Sequence, residues 1–157
     1  MPGDDETLKR LSDLWVEEHV FTHLDQRIRT FFGAHKLFSL IESGRVRAYG
    51  AYDERGSFLG CVFGWSDGDE FVTHCAYYRG VDAVAALKTT TSVMVADFTS
   101  LGIVIRRVVG YIPECNRAAI RAAKRYGCRD EGVAADKVFE DREYLIPCHR
   151  LTMNIKE

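Results

Sequence analysis

The sequence predicts a mixed α/β domain of the α+β kind, a sheet covered by helices on both faces, and three observations predict it. Apolar residues recur at helical spacing in some stretches and at a period of two in others. Two alternating runs, residues 45–52 and 57–65, flank Asp53-Glu54-Arg55-Gly56, a tight loop ending in glycine and so a hairpin signal. A Val- and Ile-rich run over residues 103–112 lies between two helical stretches, which makes a strand–helix–strand unit beside that hairpin.

The elements follow in order. Leu8, Leu11, Leu14 and Trp15 give residues 5–18 a helical spacing. A second helical region covers residues 24–41, with Leu24, Ile28, Phe31, Phe32, Leu37, Phe38 and Ile41, punctuated by Gly33 and Gly44. The hairpin strands come next, and a third strand over residues 70–78 follows the turn Ser66-Asp67-Gly68-Asp69. Residues 81–101 return to helical spacing through Val84, Leu87, Thr91, Met94, Phe98 and Leu101. Thr89, Thr90 and Thr91 are poor helix formers there, since β-branched side chains lose freedom in a helix. After the strand at 103–112, a helix beginning at Pro113 or Glu114 runs to Tyr126, and Gly127 supplies a left-handed cap. Residues 128–133 and 143–153 close the sheet. With no internal repeat, linker or low-complexity tract, the 157 residues read as one domain.

Composition narrows the function classes. A net charge of −2 gives no global attraction to nucleic acid or to an anionic membrane. No apolar run approaches the ~20 residues of a membrane span. The acidic opening Met1-Pro2-Gly3-Asp4-Asp5-Glu6 is unlike a secretory signal, so a cytoplasmic location is expected. Five cysteines, at positions 61, 75, 115, 128 and 148, form no CxxC pair. They suggest reduced structural thiols and no metal site.

Several side chains are chemically suggestive by themselves. Glu70 and His74 are four apart on a period-two strand and so share a face. An imidazole with an ordinary pKa near ~6.5 can take a proton from an ammonium around neutrality, and a nearby carboxylate can orient it. The bland alternative is a carboxylate at an exposed strand start and a hydrogen-bonded sheet histidine. Asn116, ahead of Arg-Ala-Ala, is a favoured helix N-cap. Arg106 and Arg107 must face opposite sides of their strand. Arg117, Arg121, Lys124 and Arg125 form one helical stripe, either a solvated face or a contact for a phosphate or an acidic partner. Tyr126 reads as a packing residue beside the glycine cap.

The run Tyr111-Ile-Pro-Glu-Cys-Asn116-Arg-Ala-Ala119-Ile120, with Tyr126-Gly127-Cys128 and Glu131-Gly132 beyond it, resembles the C-terminal half of the GNAT family of acyl-CoA-dependent N-acetyltransferases. The resemblance implies a mixed, mainly antiparallel sheet of about six strands. It implies acetyl-CoA as co-substrate, no metal, and transfer of an acetyl group to a primary amine, on a small molecule or a peptide. In that family the helix after the central strand opens with Arg/Gln-x-x-Gly-x-Gly/Ala, whose amides cradle the CoA pyrophosphate, as helix N-termini favour anions. The corresponding place here is Arg79-Gly80-Val81-Asp82-Ala83-Val84, preceded on the strand by Cys75, Ala76 and Tyr77. Arg79, Gly80 and Ala83 fit, whereas Asp82 repels phosphate and Val84 is branched where close approach is needed. Asn116 and Ala119 match the family's cofactor-arm positions. Ala123 stands where many members carry the tyrosine that protonates the departing thiolate. His74 and Glu70 are the candidate catalytic residues. A homodimer is allowed.

The departures at Asp82, Val84 and Ala123 support an alternative, a catalytically silent binding or assembly module on the same fold. The His74-x-Ala76 strand and the altered loop are similar to small phage-encoded relatives of the family.

Overall fold

A computed structural model describes residues 9–10, 13–14, 31–141 and 144–155. The order is α1 (Phe31–Glu42), β1 (Arg47–Tyr52), β2 (Phe58–Asp67), β3 (Glu70–Tyr77), α2 (Ala83–Ser100), β4 (Arg107–Pro113), α3 (Arg117–Tyr126), β5 (Arg129–Asp141) and β6 (Tyr144–Asn154). Of the helix expected at 5–18, residues 9–10 and 13–14 are helical, and the rest of it, with residues 24–30, lies outside the described residues. The helix over the second region runs through Gly33 and stops at Gly44, whose φ of +74° suits glycine.

The hairpin forms where the sequence placed it. Asp53 Oδ1 accepts from the amides of Arg55 and Ser57, at 2.9 and 2.8 Å, and so holds the loop with its own side chain. Six strands make one sheet in the order β1-β2-β3-β4-β6-β5. Every neighbouring pair is antiparallel except β3–β4, which is parallel, with α2 as its crossover. The mixed, mainly antiparallel sheet expected from the sequence is thus the one observed.

Strand alternation divides the core into two layers. Val46, Ala48, Cys61, Phe63 and Ala76 meet Leu14 and Ile41, with Phe38 and Leu40 of α1 packed against them. The opposite face sends Tyr49, Val62, Phe71 and Val108 to Met94 and Phe98 of α2. Helices therefore cover both faces. Burial of this apolar surface holds α2 down, and Asp97 fixes its register by accepting from Arg47 (2.8 Å) and from the Tyr49 hydroxyl (2.7 Å). The threonines tolerate the helix because Thr89 and Thr90 bond back to the carbonyls of Ala85 and Ala86.

Three boundaries differ most from expectation. β4 starts at Arg107, because residues 103–106 are pinned by Phe98, Asp69 and Ile155 instead of by a neighbouring strand. α3 starts at Arg117, because Pro113 ends β4 and residues 114–115 turn. β5 continues to Asp141, carried past two register shifts, the first at Gly132 with φ +88°. Among the described residues no helix is long and apolar enough to cross a membrane.

Candidate active site

The sheet opens in the middle. β3 and β4 pair only from Glu70↔Arg107 to Thr73↔Gly110, although β3 continues to Tyr77 and β4 to Pro113. Beyond Thr73 the two strands diverge and leave a gap. On its β2 side, β3 pairs Cys61 with Ala76 and Phe63 with His74, and the Tyr78 amide donates to Leu59. Backbone bonding alternates along an antiparallel strand, so Ala76 and His74 bond toward β2, and the amides of Cys75 and Tyr77 point into the gap. Two donors directed at one opening can stabilise an oxygen that gains charge.

The side chains of β3 alternate across the sheet. Ala76 packs into the α1 layer, and Tyr77 packs against the α2 layer. Cys75 is exposed, yet the protein crowded around it pushes its thiol up to about 11, so it is a protonated thiol at neutral pH. Burial likewise raises Tyr77 far above its ordinary value. All five cysteines are free.

His74 and Glu70 share the face away from α2. The His74 ring stacks on Phe63 (centroids 5.5 Å, 21°) and lies 5.8 Å from Trp65, so cross-strand aromatics fix its plane. Glu70 is more engaged than the sequence suggested. Its Oε1 accepts from Arg107 Nη2 at 2.9 Å and from Arg150 Nη2 at 2.7 Å. Arg150 Nε in turn reaches Glu131 Oε2 at 2.9 Å, and Thr152 donates to Glu131 Oε1 at 2.9 Å. Burial works against the Arg150 charge, and its bonds to Glu70 outweigh that and raise its pKa. A carboxylate held by two guanidiniums is fixed in place and serves to position charge. Sequence reasoning missed Arg150 and Glu131. Arg150 and Glu70 are 80 residues apart, and no local pattern joins them.

At the mouth of the gap the chain turns through Arg79 and Gly80, both exposed, with Gly80 at φ +82°. Asp82 then caps α2, its Oδ1 accepting from the amides of Val84 (3.1 Å) and Ala85 (3.2 Å). The helix end expected to attract phosphate therefore already holds a carboxylate, its own. Val81, Ala83 and Val84 are half-buried around it. Asn116 caps α3, its Oδ1 accepting from the Ala119 amide at 3.2 Å, so both caps stand at helix starts that follow the two diverging strands. Gly127 closes α3 with φ +112°. Tyr126 is buried, and burial raises its pKa while a bond to Thr91 opposes the rise. Arg117, Arg121, Lys124 and Arg125 are exposed, and Lys124 pairs with Asp130 at 2.9 Å. Among the described residues no three His, Cys, Asp or Glu side chains converge as metal ligands would.

No family model and no curated protein matches the sequence. Solved structures do match the fold. Spermidine N-acetyltransferase from Vibrio cholerae, in complex with CoA and spermine, superposes with a TM-score of 0.71 at 14% identity, over 96% of this chain and 91% of that one. An acetyl transferase from Salmonella typhimurium, which modifies the N-terminal serine of the 50S ribosomal subunit protein L7/L12, gives a TM-score of 0.75 at 13% identity, over 99% and 94% of the two chains. Likeness at such identities speaks for architecture, and with one parallel pair among its described strands, splaying at the centre of the sheet, this chain has the GNAT fold.

Proposed function

We propose that this chain is an N-acetyltransferase that moves an acetyl group from acetyl-CoA to a primary amine. The observation that carries the proposal is the gap beyond Thr73↔Gly110, with the amides of Cys75 and Tyr77 directed into it. The solved acetyltransferases of the same fold support it, one of them holding CoA.

The thioester arm would lie in the gap, its carbonyl oxygen against those amides. The amine nitrogen forms a bond to the carbonyl carbon, and the carbon–sulfur bond breaks. His74, held flat by Phe63 and Trp65, accepts the proton the amine gives up. The departing sulfur takes a proton from solvent, since Ala123 supplies no acid. Glu70, fixed by Arg107 and Arg150, orients the charge on that face. Asn116, with Ala119 beside it, lines the arm, and residues 79–84 lie at its far end. Holding amine and thioester together supplies much of the rate. The free cysteines suit a cytoplasmic setting.

Asp82 favours a second reading, a binding or assembly module, because its carboxylate occupies the amides a phosphate would use. Isothermal titration with acetyl-CoA separates the two. Micromolar binding that Asn116→Ala abolishes and Asn116→Ser, which keeps the cap, also weakens supports the transferase. Absence of heat from a folded protein supports the module. Binding unaffected by Asn116→Ala removes that residue from the site.

A further inference from the structure

We propose that the amine acceptor is an acidic peptide with a free amino terminus, and that the guanidinium of Arg107 reads its carboxylate. The inference rests on the acetyl-transfer reading and names the acceptor class for that site.

The face of the sheet that bears His74 also bears Glu70, Arg107, Arg150 and Glu131, and the charges on it are unequally satisfied. Both carboxylates are committed. Glu70 accepts from two guanidiniums at 2.9 and 2.7 Å, and Glu131 accepts from Arg150 and Thr152, each at 2.9 Å. A polyamine binds through open carboxylates, and at these two each of its ammonium groups would have to displace a guanidinium. The open groups are donors. A guanidinium carries five N–H donors, and among the described residues that of Arg107 meets only Glu70. Its side chain is 43% exposed, against 23% for Arg150. The four charges of the network balance, and what it leaves open is the donor side: the spare N–H groups of Arg107 can serve a carboxylate and have nothing to offer an ammonium.

Distance selects the size of the acceptor. Arg107 lies beside Glu70, and His74 is four residues further along β3, roughly 13 Å at ~3.3 Å per residue. An amine at His74 and an anion at Arg107 are too far apart to belong to one amino acid. An extended peptide spans that distance in about four residues. The acceptor that fits is a polypeptide end with an acidic side chain about four positions from its amine.

The test is steady-state acetylation, with acetyl-CoA, of three amines: an alanine pentapeptide amidated at its C-terminus, the same amidated peptide with glutamate at its fourth and fifth positions, and spermidine. The acidic peptide is expected to have the highest kcat/KM. Arg107→Gln should narrow the preference for acidic over neutral peptide about tenfold, through KM, and Arg107→Lys should keep part of it. Both variants retain the Arg150–Glu70 pair, and a thermal melt checks that they fold. Spermidine as the preferred acceptor, or an acidic preference untouched by Arg107→Gln, overturns the proposal and leaves acetyl transfer standing. Turnover of none of the three overturns the proposal, and the acetyl-CoA titration then decides the transferase reading separately.

Discussion

Asp82 sets the terms on which a phosphate can approach α2, and replacing it should strengthen donor binding. Its Oδ1 occupies the amides of Val84 and Ala85 at 3.1 and 3.2 Å, so an incoming diphosphate meets two obstacles, spent donors and a like charge. A unit charge about 4 Å from another contributes roughly 1 kcal/mol in water and about 4 kcal/mol at a protein surface. Removing it therefore predicts about fivefold to several-hundredfold tighter acetyl-CoA binding, with tenfold a conservative expectation in the screened, exposed setting of this loop. The fold should tolerate the change, since glycine is only a few tenths of a kcal/mol poorer than Asp as a cap. Asp82→Gly frees both amides and removes the charge, whereas Asp82→Asn removes the charge and keeps an acceptor on the amides. Isothermal titration of both variants with acetyl-CoA, and with the phosphate-free thioester acetyl-pantetheine, separates the effects. Gly should gain most, Asn less, and acetyl-pantetheine should be indifferent. Unchanged or weaker acetyl-CoA binding by Asp82→Gly, with circular dichroism intact, would refute the competition argument.

Two further outcomes follow from packing and charge. A Cβ at Gly64 would meet the backbone oxygen of Val72, which cannot move without parting β2 from β3. Gly64→Ala should cost about 3 kcal/mol and lower Tm by about 6–12 °C in a calorimetric scan, and a shift under 2 °C would contradict it. Asp130 is held well below its usual 3.8 by Lys124 first, then by His149 and the Gly132 amide. Because its folded pKa is depressed, the stability it adds is complete above about pH 4 and is lost as pH falls below that. Asp130→Asn should therefore flatten the acid limb of a Tm–pH curve and lower the plateau at neutral pH; an unaltered acid limb would show that the bonds contribute nothing.

What the sequence disclosed was local. The hairpin around Asp53, the caps at Asn116 and Gly127 and the two helix–strand alternations rest on neighbouring residues, whose preferences survive in the fold. Alternation failed where it was physically interrupted. β5 outran its expected end because the bulge at Gly132 shifts the inward and outward order. Residues 103–106 look like strand by composition and are tied down by loop contacts instead. In the site, Asp82 was legible as a misfit, since its position in the loop is a matter of spacing. The state of Glu70 was not legible, because its guanidinium partners come from β4 and β6, and only the assembled sheet brings them within 3 Å.

The short parallel ladder between β3 and β4 has one more consequence. Among the described residues the ladder that joins β1–β2–β3 to β4–β6–β5 has four residue pairs, Glu70↔Arg107 to Thr73↔Gly110, extended at its start by the amides of Arg106 and Arg107 donating to Asp69. The line along which a ligand would enter is thus also the seam of the sheet. An arm lying in the gap acts as a splint between the two halves, and its binding energy adds directly to their cohesion. Occupancy should then be readable without any turnover, as slower hydrogen exchange at Cys75 and Tyr77 and a seam that opens last instead of first on heating.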